Sequence, residues 1–240
     1  MAVVVQSVSA AAVNASVGTS IVITKPTGLA VGDLMIAFVG GPSDYNVNTA
    51  TNWNGLTQGQ SVEGNQLTMK AQWKIADAAD VLLATFAFTV DAGSGLTGFM
   101  LRIDGHDPTT PINAQSCVIS NTDTDTPSLA STITPTVANC LIILSTWVGD
   151  NQRTYSSWTI ATSPPTFDEH VDSAGAVAGT SRNMSMGCAS GVRPETTATG
   201  NSTVTLSGTG ARFVGAQIAV APSAGGGGGT RLLTLLGVGT

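Results

Sequence analysis

Gly32-Asp33-Leu34-Met35-Ile36-Ala37-Phe38-Val39-Gly40 is the stretch that decides the fold. Its apolar residues stand in an unbroken row between glycines, without the three-to-four spacing that marks a helix face. A strand half in water alternates apolar with polar positions. A run that is apolar at every position is a strand covered on both faces. Leu34–Val39 therefore reads as a central strand, with Asp33 closing the turn beside Gly32.

Outward from this stretch, short apolar or alternating runs follow one another, separated by Gly, Pro, Asn and Asp. The strand candidates are Val3–Val8, Ser20–Thr24, Leu67–Ile75, Leu83–Val90, Thr97–Ile103, Ile142–Val148, Arg182–Ala189, Thr203–Leu206 and Phe213–Val220. They concentrate Val, Ile, Thr and aromatics, which fit a pleated, half-buried surface. Ala76–Leu83 is the one stretch that reads as a turn of helix. Lys25-Pro26-Thr27-Gly28 suits a β-turn with proline at its second position, and Ser163-Pro164-Pro165 is a strand-free connector. Many short strands between turn signals imply an all-β sandwich or barrel, here a jelly-roll-like β-sandwich forming a single domain over residues 1–222. No internal repeat is strong enough to divide it.

The chain has 240 residues, of which 42% are hydrophobic and only 10% charged. An ordinary soluble domain carries about 25% charged residues, so Ser, Thr, Asn and Gly must cover this surface. The net charge is −6 and the nine basic residues are scattered singly. Nucleic-acid binding needs a basic footprint that displaces counterions from phosphates, and membrane docking needs a polybasic cluster. Neither is present, so neither partner is expected. Cys117, Cys140 and Cys188 lie far apart with no CxxC pair, which gives no zinc signature. A reducing place of assembly is the simpler expectation. The opening MAVVVQSVSAAAVNASVG lacks a positively charged start and suits a strand better than a signal peptide.

Residues 223–240 differ from the rest. Five glycines, Gly225 to Gly229, precede Thr230-Arg231-Leu232-Leu233-Thr234-Leu235-Leu236-Gly237-Val238-Gly239-Thr240. A glycine run is a flexible coil. Leucines left in water forgo about 1.5–3 kcal/mol each. This composition predicts a tether and an anchor, with Leu232, Leu233, Leu235, Leu236 and Val238 binding a partner, as a short helical face or an added strand.

Three stretches resemble a family of bacteriophage virion β-sandwich proteins of minor-tail or head-surface type. Lys25 to Val39 is similar to its "PTGxxxGDLLLAFV" opening. Trp73-Lys74-Ile75-Ala76 is similar to its "YYKVA" strand, followed by an "xxYTFT" strand seen here as Ala84-Thr85-Phe86-Ala87-Phe88-Thr89. Leu101 to Asn113, with Asp107-Pro108-Thr109-Thr110-Pro111-Ile112, resembles "YRGVDPTTPID". The order matches, over roughly residues 20 to 221. The family's "GW" after the first long strand is matched only loosely by Trp53. The resemblance implies a jelly-roll-type sandwich, a place on the virion, capsid or tail subunits as partners, a homo-oligomer (a trimer by analogy) and no catalytic residues or cofactors to carry over.

Other constellations have bland readings that outweigh the chemical ones. Asp104, His106 and Asp107 have donors for a divalent cation, but a polar turn explains them. Asp123 and Asp125 in NTDTDTPS offer calcium oxygens, but no glycine follows them at the spacing of an EF-hand-type loop, so a solvated loop is expected. Asp168, His170 and Asp172 alternate, which would set them on one strand face; no GxSxG or other nucleophile motif accompanies them. Trp53, Trp147, Trp158, Tyr45 and Tyr155 would stack on a glycan if exposed, and would pack in the core otherwise. A glycan-binding or host-adhesion module on the virion surface is the alternative they leave open. No metal site and no catalytic site is expected.

Overall fold

The computed structural model describes residues 2–42, 45–61, 67–149, 153–175, 184–208 and 211–224. The fold is an all-β sandwich, as the sequence predicts. The strands are β1 (Val4–Val8), β2 (Ala12–Thr24), β3 (Leu34–Gly41), β4 (Asn54–Ser61), β5 (Leu67–Ile75), β6 (Thr85–Asp104), β7 (Ile112–Thr124), β8 (Ser128–Ala130), β9 (Cys140–Val148), β10 (Tyr155–Ile160), β11 (Asp168–Gly175), β12 (Met184–Arg193), β13 (Ser202–Leu206) and β14 (Ala211–Val220). Among the described residues a single short helix, α1 (Ala78–Leu82), falls within the expected Ala76–Leu83 stretch. Asp77 caps it in a capping box with Asp80, which satisfies backbone donors the helix leaves open.

Two large antiparallel sheets face each other. The first runs β1-β6-β3-β5-β4, with β2 also paired to β6; the second runs β11-β12-β9-β14-β7. β3 is buried at every position between β5 and β6, as its unbroken apolar run requires. β9 has the same role in the second sheet, buried at all nine positions. Leu34, Ile36, Phe38, Phe99 and Leu101 from the first sheet meet Leu141, Ile143, Trp147, Met186 and Ile218 from the second in one core. Trp147 crosses the sandwich. Its ring stacks on Phe99 with centroids 5.5 Å apart, and its Nε1 donates to Thr97 Oγ1 at 2.9 Å.

The outer faces are covered as well. The later part of β2 and the first part of β6 pair from Ser20–Thr89 to Thr24–Thr85, and their Ile21, Ile23, Phe86 and Phe88 pack on Met35, Ala37 and Val39 of β3. The small sheet β10-β13-β8 sets Leu129, Trp158, Val204 and Leu206 on Ile142, Leu144 and Val148 of β9. Four layers result, which explains how a chain so rich in apolar runs buries nearly all of them.

The connectivity keeps each half of the chain in its own sheet rather than passing strands between the two. It also repeats. In chain order β1, β3, β4, β5, β6 take the sheet places that β7, β9, β11, β12, β14 take in the other. The register agrees too: Leu34 pairs with Ile75 and Ile103, and Leu141 pairs with Val192 and Val220. Even the outer ladders correspond, β2 on β6 in one half and β8 on β13 in the other. No repeat is evident from the sequence at large. Its one trace lies before the two central strands, where Ile23-Thr24-Lys25-Pro26-Thr27 leads to Leu34-Met35-Ile36 and Ile133-Thr134-Pro135-Thr136 leads to Leu141-Ile142-Ile143.

Candidate docking face at one end of the sandwich

Leu34, Ile75 and Ile103 stand level at one end of the first sheet, and Leu141, Val192 and Val220 at one end of the second. A bridge between His106 and Pro222 joins the two ends. The Ser223 amide donates to the Gly105 carbonyl at 2.8 Å. The chain therefore leaves the described body between the two sheets, at this exit end.

Polar groups at the exit end fasten its loops. Arg102 Nε donates to Asp33 Oδ2 at 2.6 Å, and the same carboxylate accepts the Ala30 amide at 2.7 Å. Asp107 Oδ1 accepts the Thr109 and Thr110 amides at 2.8 and 2.9 Å, which holds its pKa below the usual carboxylate value. Asp104 Oδ1 accepts the Gly105 amide at 2.6 Å. His106 is buried, with neither ring nitrogen at hydrogen-bond geometry to a partner. Burial pushes its pKa down, against the field of Asp104 and Asp33. Asp104, His106 and Asp107 lie where β6 gives way to β7, with both carboxylates bound to backbone amides there. Among the described residues no group of three or more His, Cys, Asp or Glu side chains is placed to hold a metal ion.

The exit end also carries most of the exposed apolar surface. Nine large hydrophobic residues are exposed among the described ones: Val4, Val13, Val22, Val31, Leu82, Leu83, Ile119, Val137 and Val192. Six of them belong to this end. Val4 pairs with Asp104, and Val192 with Leu141. Val31 lies in the turn before Leu34, Val137 in the turn before Cys140, and Leu82 and Leu83 close α1. Leu82 is 87% exposed, far beyond what a helix residue chosen only for packing would show. Next to it, a groove of about 420 Å³ lies between α1 and the Ala50–Trp53 turn. Trp53, Leu83, Phe86 and Ala87 line one part of it; Lys74, Asp77 and Asp80 line another. Lys74 Nζ donates to Asp80 Oδ1 at 2.7 Å, and also pairs with Asp77. Burial pulls the Lys74 pKa down, and these two carboxylates more than reverse it. Lys25 Nζ donates to the Val81 carbonyl and ties α1 to the proline turn.

The remaining sequence candidates lie elsewhere. Asp168, His170 and Asp172 all fall on β11, but not on one face as their spacing implies. A bulge between Glu169 and Val171 shifts the register, so Asp168 opposes Ser190 whereas Asp172 opposes Gly187. An inserted residue turns the following side chains to the other face. His170 Nε2 and Ser190 Oγ are 2.7 Å apart, and burial lowers the His170 pKa. Ser190 is itself buried. Asp125 is exposed and accepts the Leu206 amide through its backbone; the Asp123 side chain lies outside the described ones.

Of the five aromatics considered for stacking, Trp147, Trp158, Tyr45 and Tyr155 are buried. Trp53 is half-buried and meets Phe86 and Phe88 edge-on. The tail residues Leu232, Leu233, Leu235, Leu236 and Val238 lie outside the described residues. No helix among the described residues is long and apolar enough to cross a membrane.

The sequence signal for the exit end was present but scattered. Leu82, Leu83 and Val31 look like core residues in a linear reading, and only the fold shows them unpartnered. No protein-family model, no curated protein and no solved structure matches the chain.

Proposed function

We propose that this chain is a non-enzymatic structural subunit of a bacteriophage virion, on the head surface or in the tail. It docks to neighbouring subunits in part through its C-terminal leucines. The observation that carries this reading is how the three family-like stretches sit together. Lys25 to Val39 contains the turn and β3, Trp73 to Thr89 the end of β5 and the start of β6, and Leu101 to Asn113 the end of β6 and the start of β7. β3 is hydrogen-bonded to both β5 and β6. The resemblance thus falls on one connected piece of framework, which is what a shared scaffold gives.

Two further features support an assembly role. The surface is covered with uncharged polar residues, and the exposed apolar side chains gather at the end from which the tail hangs. Burying them between subunits contributes about 25 cal/mol per Å², and repetition over many copies multiplies the effect.

Particles assembled with a full-length variant bearing Leu232→Ser, Leu233→Ser, Leu235→Ser and Leu236→Ser test the reading. Mass spectrometry of purified particles is expected to find the wild-type chain as a stoichiometric component and the variant depleted at least tenfold. A wild-type chain absent from washed particles would refute it.

A further inference from the structure

We infer that the leucine segment of one copy's tail seats in the groove beside α1 of an adjacent copy, so that two copies meet exit end to exit end and exchange tails. This rests on reading the chain as an assembly subunit and names the receptor for its anchor.

Three observations lead there. First, the groove offers leucine side chains an apolar wall of Trp53, Leu83, Phe86 and Ala87, alongside a polar one that includes Thr51, Asn52 and Thr85, and the exposed Leu82 directly precedes Leu83 in the chain. On its charged wall Lys74 pairs with both Asp77 and Asp80, and Asp77 stays largely exposed to water.

Second, the tail begins at the same end. Ser223 is fixed to Gly105, and seven residues, 225 to 231, separate Ala224 from Leu232. At 3.3–3.6 Å per residue these span at most about 25 Å. That range confines the leucines to the exit end or to whatever faces it.

Third, the exposed apolar residues flank the exit on both sides. Leu82, Leu83, Val31 and Val4 belong to the first sheet's half, and Val137 and Val192 to the second's. One short segment folding back covers one flank only. A second copy turned about a two-fold axis brings its own end and its own tail, and covers both. An isologous contact of this kind needs one patch that serves both partners, and exchanging an identical element is a low-cost route to it.

Complementation between two full-length variants tests the exchange. The first, Leu82→Asp with Leu83→Asp, spoils the groove and keeps the tail. The second carries the four serine substitutions in the tail and keeps the groove. Leu82 and Leu83 are exposed, and matching thermal unfolding of each variant to wild type establishes that the body is folded. Sedimentation is expected to show wild type self-associating and each variant weakened at least tenfold. Mixing the two variants is expected to restore a heterodimer through the one intact groove and the one intact tail. Val13→Asp, exposed near Thr97 and away from this end, serves as the control and leaves association unchanged.

A monomeric wild type, or a mixture that stays monomeric, overturns the exchange; in the second case the tail serves its own groove. Association that survives both variant sets overturns it too, because the contact then lies elsewhere. Each result is separable from the virion reading. A chain found in particles whose tail does not pair in solution sinks only this inference, and a chain that pairs in solution yet never enters particles sinks only the other.

Discussion

The two halves of the chain build the same sheet twice, but they secure the connection that leaves the fourth strand of each in opposite ways. In the second half, Arg193 at the end of β12 is fully buried and gathers the next loop around itself. Its Nη1 donates to the Glu195 and Thr197 carbonyls at 3.0 and 2.7 Å, and its Nη2 to Thr197 Oγ1 at 2.9 Å. In the first half, the chain after β5 turns into α1. The carboxylates of Asp77 and Asp80 cap that helix, and Lys74 holds them from outside. One solution draws the crossing into the body. The other leaves a short helix standing on the surface with Leu82 in water. The difference teaches that the same crossing can be secured by a buried arginine or by a capped helix on the surface.

The core shared by the halves supplies the strongest way to break this comparison. Trp147 of the second half packs against Phe38 and Phe99 of the first. Trp147→Ala is expected to cost about 3–5 kcal/mol, read from denaturant unfolding as one cooperative transition shifted to lower denaturant. Two separate transitions would show that the halves are independent domains.

The fourth-strand anchors come next. Arg193→Met removes the donors and leaves buried carbonyls unpaired, which is expected to cost about 3 kcal/mol. Lys74→Met leaves the buried Asp80 carboxylate without its cation but with the Asp77 amide still on its Oδ2, and is expected to cost less, about 1–2 kcal/mol. Equal losses from the two would erase the contrast drawn above. Gly59 of β4 probes the closed edge of the sandwich. A Cβ there would lie 2.4 Å from Val214 Cγ1 and 2.7 Å from Cys117 Sγ. Gly59→Ala is therefore expected to cost about 1–3 kcal/mol by overpacking, read by thermal unfolding.

The smallest expected effect is on pH. Burial holds both His106 and His170 below their ordinary value of 6.5. Folding therefore favours the neutral rings, and the unfolded chain binds more protons just below that pH. Stability from this source is complete above 6.5 and is lost as the pH falls through it toward the folded values. The thermal midpoint is expected to fall between pH 7.5 and about 5.5. The variant His106→Gln with His170→Gln is expected to fall less. An identical slope in the two proteins would remove the histidines from the account.

Strands covered on both faces were the legible ones. Leu34–Val39, Ile142–Val148 and Phe213–Val220 stand out in the sequence because burial on two sides demands near-continuous apolar runs, and Leu67–Ile75 stands out by its alternation instead. β4, β7 and β11 were not legible. Each is the outermost strand of a large sheet, where NGLTQGQS or INAQSCVISNTDT tolerates polar residues and carries no clear period. β6 read as two runs because Asp91-Ala92-Gly93-Ser94-Gly95 looks like a turn. The ladder to β2 instead carries the strand through it, with shifts of register beside Gly18. The exit face was illegible for a different reason. Nothing in a linear reading separates an exposed Leu82 from a buried one, and the helix that exposes it is fixed by contacts with distant Lys25 and Asp33-linked loops. The composition of residues 225–240, five glycines and then four leucines, predicts a tether and an anchor, and these residues lie outside the described ones.

Density of the intact phage particle tests the central claim most directly. A reconstruction resolving side chains is expected to contain this sandwich at regularly repeated positions, with the end that bears Leu82 and Pro222 turned toward a neighbour. A complete reconstruction with every density assigned to other chains would contradict it.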